Sequence, residues 1–243
     1  MGETVSEPGP GRLDHVTAET PSPTPTPQVL PLVVRIERAA PPARTDALET
    51  AARAVLTLLS DPRTTDGGGA WHKPVRVWEE RGIRKVVRRA RGSEWRRIQP
   101  LEGLTVHGRT AQVRVFPPVP VDAWPKDLAR LQVSGTDLTD PEPPADPAPG
   151  VPVLWLNPRL AMTAGKAMAQ AAHAAQLAWW ALGEGEREAW RAAGFALAAR
   201  TARDPAHWDA LTTSGLRVVR DAGFTEIPAD SCTVAADHPA LRG

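Results

Sequence analysis

Between Met162 and His173 the chain is dominated by alanine, and Lys, Gln and His interrupt it along one line. Lys166, Gln170 and His173 recur at i, i+4 and i+7. At roughly 100° per residue this confines them to about 60° of arc on a helix. The rest of that helix is small and apolar, a surface made for close packing. Buried amide and ammonium groups cost free energy unless something bonds them. The stripe therefore marks a candidate site on an otherwise core-forming helix.

The elements around it alternate. Val151 to Leu156 is a continuous apolar run fit for a buried strand. The helix from about Thr163 to Leu182 follows, with Thr163 as N-cap. Glu186 to Ala193 reads as a short helix and Phe195 to Ala202 as a strand. Asp204 and Pro205 supply the N-cap and first residue of a helix reaching Thr213. Leu216 to Arg220 and Cys232 to Ala236 read as the last strands. This order predicts an α/β fold with a small mixed β-sheet flanked by helices.

Ahead of it, Asp140 to Gly150 is so rich in proline that it reads as a stiff, extended linker. We place a boundary there, which gives a C-terminal domain over 151–243 and an N-terminal one over 29–139. Residues 1–28 are polar and proline-rich, and their composition predicts disorder. In the N-terminal domain Leu30 to Ile36 reads as a strand and Thr45 to Leu59 as an amphipathic helix. Asp66 to Gly69 breaks the pattern. Ile83 to Ala90 and Ala111 to Phe116 read as further strands, the second stopped by Pro117 and Pro118.

Ile83 to Gly92 followed by Ala111 to Pro118 echoes Leu216 to Gly223 followed by Cys232 to Pro239. Both domains also begin with an apolar strand and a long helix. Two readings stand: the N-terminal domain is a degenerate copy of the C-terminal one, or the two are unrelated α/β domains. In that alignment Arg89 takes the place of Asp221, and the first long helix lacks the Lys/Gln/His stripe.

A net charge of +1 gives no global attraction to any partner, but Arg76 to Arg97 carries a local balance of +6. Guanidinium groups at that density suit phosphate oxygens, which they bind bidentately. A solvated, arginine-rich face is the plainer alternative. Cys232 is the sole cysteine, which excludes a disulfide framework and a thiolate cluster. The first residues lack the layout of a secretion signal, and no apolar run approaches the ~20 residues that span a bilayer. The expectation is a cytoplasmic protein with no membrane partner.

A second chemically loaded segment runs from Arg220 to Thr233. Asp221 stands there at the end of a strand, followed by hydroxyls at Thr225, Ser231 and Thr233. Ligands of open α/β sheets bind beyond the carboxyl ends of the strands, so Asp221 and the Lys166 stripe can converge. Together the two segments resemble the type 2 peptidyl-tRNA hydrolase family. Gly165, Lys166, Ala169, Gln170 and His173 match its Met-Gly-Lys-Gly-Lys motif and the following Ala-Gln and His. Asp221, Ala222, Gly223, Thr225, Ile227, Pro228 and Thr233 match its Asp-Ala-Gly-x-Thr-x-Ile-Pro motif and last-strand Thr. The resemblance spans roughly 151–240. It departs at Ala164, where the family has the first motif lysine, usually counted as catalytic, and at Ala229-Asp230-Ser231, which replaces Pro-Gly-Thr.

The resemblance implies hydrolysis of the ester joining a peptidyl group to the 3′ ribose of tRNA, without metal or organic cofactor. It implies a catalytic set of Asp221, Lys166, Gln170, Thr225 and Thr233, with His173 and Ser231 in support. Asp221 orients or deprotonates water, and Lys166 and Gln170 donate to the oxyanion or to ribose and phosphate oxygens. For His173 a packing role ranks ahead of a catalytic one. Arg84, Lys85, Arg88, Arg89 and Arg91 are the expected tRNA contacts, and one of them could replace the missing lysine if the domains pack face to face. The alternative is a catalytically impaired tRNA or RNA binder on the same fold. Monomer and homodimer both remain open, the first if the N-terminal domain takes the place of a partner subunit.

Overall fold

The computed structural model describes residues 1–2, 26–223 and 226–242. The proline-rich tail thus falls almost wholly outside the described residues, and so does Thr225. The chain runs β1 (Gln28–Arg35), α1 (Arg44–Leu59), α2 (Pro62–Thr65), α3 (His72–Glu80), β2 (Lys85–Ala90), α4 (Gly92–Ile98), β3 (Leu104–His107), β4 (Gln112–Val115), β5 (Val119–Pro120) and α5 (Lys126–Ala129). The second half follows as β6 (Val153–Leu156), α6 (Ala164–Ala181), α7 (Glu184–Ala192), β7 (Ala198–Thr201), α8 (Pro205–Thr213), β8 (Arg217–Arg220) and β9 (Cys232–Asp237).

Two small mixed sheets result, and they share one plan. The first has the order β2-β1-β4-β3, with β2 parallel to β1 and the other neighbours antiparallel. The second has the order β7-β6-β9-β8, with β7 parallel to β6 and the rest antiparallel. Each opens with a central strand, crosses over through a long helix to its parallel neighbour, and closes with an antiparallel pair. The first sheet adds β5 against the start of β1.

The α/β expectation therefore holds for both halves, but the alignment of the two does not. β2 stands in the first sheet where β7 stands in the second, so the counterpart of β8 is β3, and Arg89 is not the counterpart of Asp221. Arg-Val-Val-Arg in β8 and Val-Val-Arg-Arg in β2 are alike only as short amphipathic strands. Position in a sheet is set by the crossover that precedes a strand, which no local pattern encodes.

The two long helices pack on each other and lie between the sheets. α6 covers β8 and β9 of its own sheet and reaches β2 of the other; α1 covers β3 and β4 and reaches β7. This accounts for the alanine. Ala167, Ala171, Ala172, Ala174 and Ala175 of α6 and Ala47, Ala51, Ala52 and Ala54 of α1 are fully buried. A helix covered by a second helix and by two sheets has room for methyl groups and little else. One hydrophobic core accordingly runs through both halves, from Leu30 and Val113 to Leu154 and Val234.

The segment between the halves has no regular structure but is anchored at its start. The Asp140 carboxylate accepts from the backbone N–H and hydroxyl of Thr45 at 2.8 and 2.7 Å, capping α1. No helix among the described residues is long and apolar enough to cross a membrane.

Candidate active site

The start of α6 is fixed by partners that local sequence does not reveal. Thr163 is the N-cap, and its hydroxyl accepts from the Lys166 N–H at 3.3 Å. That hydroxyl and the Thr163 N–H in turn donate to the Glu226 carboxylate at 2.7 and 3.0 Å. The next free N–H, of Gly165, donates to the Thr136 hydroxyl of the first half at 3.0 Å. A Cβ on Gly165 would sit 2.9 Å from that oxygen, so glycine is what lets the loop close over the helix end. Two orphan donors of the helix terminus are thereby satisfied.

One turn further in, the stripe meets the end of β8. Lys166 Nζ donates to Asp221 Oδ2 at 2.6 Å, and Gln170 Nε2 donates to the same oxygen at 2.7 Å. The Gly223 N–H donates to Oδ1 at 2.8 Å. Beneath them the Thr233 hydroxyl donates to Gln170 Oε1 at 2.6 Å, which orients the amide so that its nitrogen faces Asp221. The pairing of β8 with β9 shifts between Val219 and Arg220, leaving Thr233 as the extra residue of a bulge. A bulge re-aims the side chain it carries, and here it buries Thr233 completely under Gln170. Asp221 itself is held by its backbone: its N–H donates to Ser231 O and its carbonyl accepts from the Asp230 N–H.

This cluster forms one side of a cavity of about 600 Å³. Thr163, Lys166, Ala169, Gln170, His173, Arg220, Asp221 and Glu226 line it from the second half. The opposite side belongs to the first half, in the stretch Arg81 to Val87 with Val133. Lys166 and Asp221 are thus a nearly buried ion pair opening onto a space that both halves enclose, their side chains 11% and 7% exposed. A carboxylate has about four acceptor sites. Three are engaged here, which leaves room to hold a water.

Of the five basic residues expected to meet tRNA, Arg84 and Lys85 line the cavity. Lys85 Nζ donates to Gln176 Oε1 at 2.6 Å and to Ile83 O at 3.2 Å, and burial drives its ammonium well below the usual lysine range. Burial, reinforced by nearby Lys85, lowers the His173 imidazole to about 2, so His173 is neutral. The other three sit elsewhere. Arg88 donates to the carbonyls of Ala129 and Leu131 and lies over the Trp124 ring. Arg89 donates to Ser134 O and to the Gln132 side chain, and Arg91 precedes α4. Arg88 and Arg89 thereby hold the loop whose Thr136 caps α6. Ser231 lies outside the cavity, its hydroxyl bonded to Pro228 O. Thr225 lies outside the described residues.

Residues 151–242 match the family model described as peptidyl-tRNA hydrolase PTH2. This half is similar to the type 2 peptidyl-tRNA hydrolase family. No curated protein and no solved structure matches the chain. The peptidyl-tRNA hydrolase match takes in β6 to β9 and the whole Lys166–Gln170–Asp221–Thr233 cluster, and it leaves out the half that supplies the facing wall.

Three features of that site escaped sequence reading. Glu226 sits inside the quoted motif, but its capping of a helix 63 residues earlier is visible only in space. Arg81 belongs to the arginine-rich run and Arg220 opens the second loaded segment, but no pattern placed the two at one cavity. Ala164, where the family carries its first motif lysine, is buried in the shared core and faces away from the cavity. Among the described residues no three His, Cys, Asp or Glu side chains group to hold a metal ion.

Proposed function

We propose that this protein hydrolyses the ester between a peptidyl group and the 3′ ribose of tRNA. The observation that supports it most is the convergence of Lys166, Gln170 and Asp221 on one cavity wall. Ester hydrolysis needs a positioned water and donors aimed at the oxygen that becomes negative. Asp221 offers the water an acceptor. Lys166 offers the developing oxyanion a nearly buried cation, whose charge acts more strongly than in bulk water. As the tetrahedral intermediate collapses, the ribose 3′ oxygen leaves and takes up a proton, returning free tRNA. Gln170 and Thr233 fix the carboxylate and do not themselves react.

In this reading Arg84 supplies the second positive charge that Ala164 cannot, from the opposite wall. The exposed arginines of the first half meet the tRNA backbone, a contact that weakens steeply with salt. Because its substrate is a product of translation, we assign the reaction to the cytoplasm.

The test is release of an N-acetylated amino acid from tRNA. Wild type should turn over, and Asp221→Asn should lose at least about 100-fold, the scale of a positioned acid–base group. Arg84→Ala should also lower kcat. Ala164 in place of lysine supports a second reading, an RNA binder without catalysis on the same fold. Salt-sensitive tRNA binding with no release, or equal release by wild type and Asp221→Asn, would decide for it.

A further inference from the structure

The cavity extends well past the reacting pair. Along α6, Lys166 to His173 covers about 10 Å at 1.5 Å per residue, and both line the same space. Its character changes over that distance. Exposed Arg81, Arg84 and Arg220 stand at the rim. The interior is walled by Ile83 and Val87 of the first half and by Ala169 of α6. Ile83 and Val87 are nearly inaccessible, so they form its floor.

An ester of this kind presents two groups to a pocket beside the reacting carbonyl. One is the nucleoside with its phosphate; the other is the side chain of the esterified amino acid. A nucleoside site calls for a ring or guanidinium to stack on the base and for cations to meet the phosphate. Here the guanidinium groups stand at the rim, and among the described residues neither Trp nor Phe lines the interior. Of the interior polar groups, Lys85 is bonded to Gln176, and burial disfavours charge on both Lys85 and His173. Aliphatic walls of β-branched residues and alanine fit an aliphatic side chain.

Taking the ester-hydrolysis reading as given, we infer that the space between Ile83, Val87 and Ala169 is an acyl pocket. It receives the side chain of the residue esterified to tRNA and favours aliphatic over charged or very small ones. The N-terminal half, which lies outside the family match, would then select the substrate.

The experiment uses the full chain and one tRNA body charged with N-acetyl-leucine, N-acetyl-alanine or N-acetyl-aspartate. Each methylene lodged in a fitting pocket is worth on the order of tenfold or more in discrimination. Wild type should therefore show a leucyl to alanyl kcat/KM ratio above about tenfold, and a larger leucyl to aspartyl ratio. Ala169→Trp, which fills the space, and Ala169→Asp, which charges it, should both bring the leucyl to alanyl ratio toward one. A ratio is unaffected by the fraction of folded enzyme, so a destabilised variant still reports. Equal wild-type rates for the three substrates, or a leucine preference that survives both variants, would overturn the pocket. If wild type hydrolyses none of them, the hydrolase reading fails separately. In that case ligand-detected NMR with N-acetyl-leucinamide decides: binding by wild type but not by Ala169→Trp upholds the pocket, and absence of binding removes it.

Discussion

Asp46 is the third residue of α1 and Lys166 the third residue of α6, so the two halves carry opposite charges at one place in the shared plan. In the second half the helix gives the cation and the residue after β8, Asp221, gives the carboxylate. In the first half the helix gives the carboxylate and the residue after β3 is Gly108. The Asp46 carboxylate accepts from the N–H groups of Arg109, Thr110 and Ala111 and from the Thr110 hydroxyl. A Cβ on Gly108 would collide with Asp46 and Thr50. The place that holds an ion pair facing a cavity in one half is thus closed by backbone in the other.

Replacing Asp46 tests this closure. Its carboxyl lies below the ordinary range: burial acts to raise it, but the N–H groups of Thr110 and Ala111, then the Thr110 hydroxyl and Arg109 N–H, outweigh burial. A carboxyl with a depressed folded-state pKa stabilises the fold above its unfolded value, 3.8, and loses that contribution as pH falls below it. Asp46→Asn should cost about 1–3 kcal/mol near neutrality, measured by urea unfolding. It should also flatten the part of the acid denaturation curve below about pH 4 that this carboxyl accounts for.

Thr233 acts on the site through Gln170. Thr233→Val keeps the shape and removes the hydroxyl that donates to Gln170 Oε1, so the amide is no longer held with its nitrogen toward Asp221. Stability should fall by about 1 kcal/mol, with an added penalty if the amide oxygen stays buried and unpaired. Activity on an N-acetylaminoacyl-tRNA should fall through kcat with KM little changed, as for loss of an interaction that matters most in the transition state. Thr233→Ser should restore it.

How far the sequence disclosed this depends on range. The start of α6 was legible because its signals are local: a Thr cap, an alanine background and a polar stripe at helical spacing. Asp221 was legible as a carboxylate ending a strand. β3 was not, because Leu104–His107 is three half-buried residues and one exposed at a sheet edge, with too little alternation to stand out. The arginine cluster pointed to phosphate because guanidinium density was all that could be read. In the fold the same fork binds carbonyl oxygens equally well, and Arg88 and Arg89 spend it on the 129–134 loop. The facing wall of the cavity was beyond reach altogether, since it depends on how one helix pair stacks two sheets.

His173 gives the fold a pH dependence of its own. Its imidazole titrates near 2 when folded, against 6.5 for an ordinary histidine, through burial first and Lys85 second. A depressed folded-state value means that the unfolded chain takes up the proton first. Stability is then full above pH 6.5 and falls as pH drops below it, by at most about 1.4 kcal/mol per unit for one proton. Thermal or urea unfolding between pH 7 and 5 should show this slope, and His173→Asn should remove it. A wild-type curve that is level over that range would place the imidazole in contact with solvent.

The assembly state follows from where the long helices lie. α1 and α6 cover each other, and each also reaches the parallel edge strand of the other's sheet, α6 on β2 and α1 on β7. These reciprocal contacts have the form expected between two copies related by a twofold axis, an isologous arrangement, achieved here within one chain. We propose that the first half stands in for a partner subunit. The alanine face through which a second copy would dock is already buried. Light scattering should give the mass of a single chain, 26.1 kDa, across a wide range of concentration, and hydrolysis per chain should not depend on dilution. A mass of twice that value at micromolar concentration, with activity that falls on dilution, would mean that the cavity needs a second chain and that the repeated plan serves some other end.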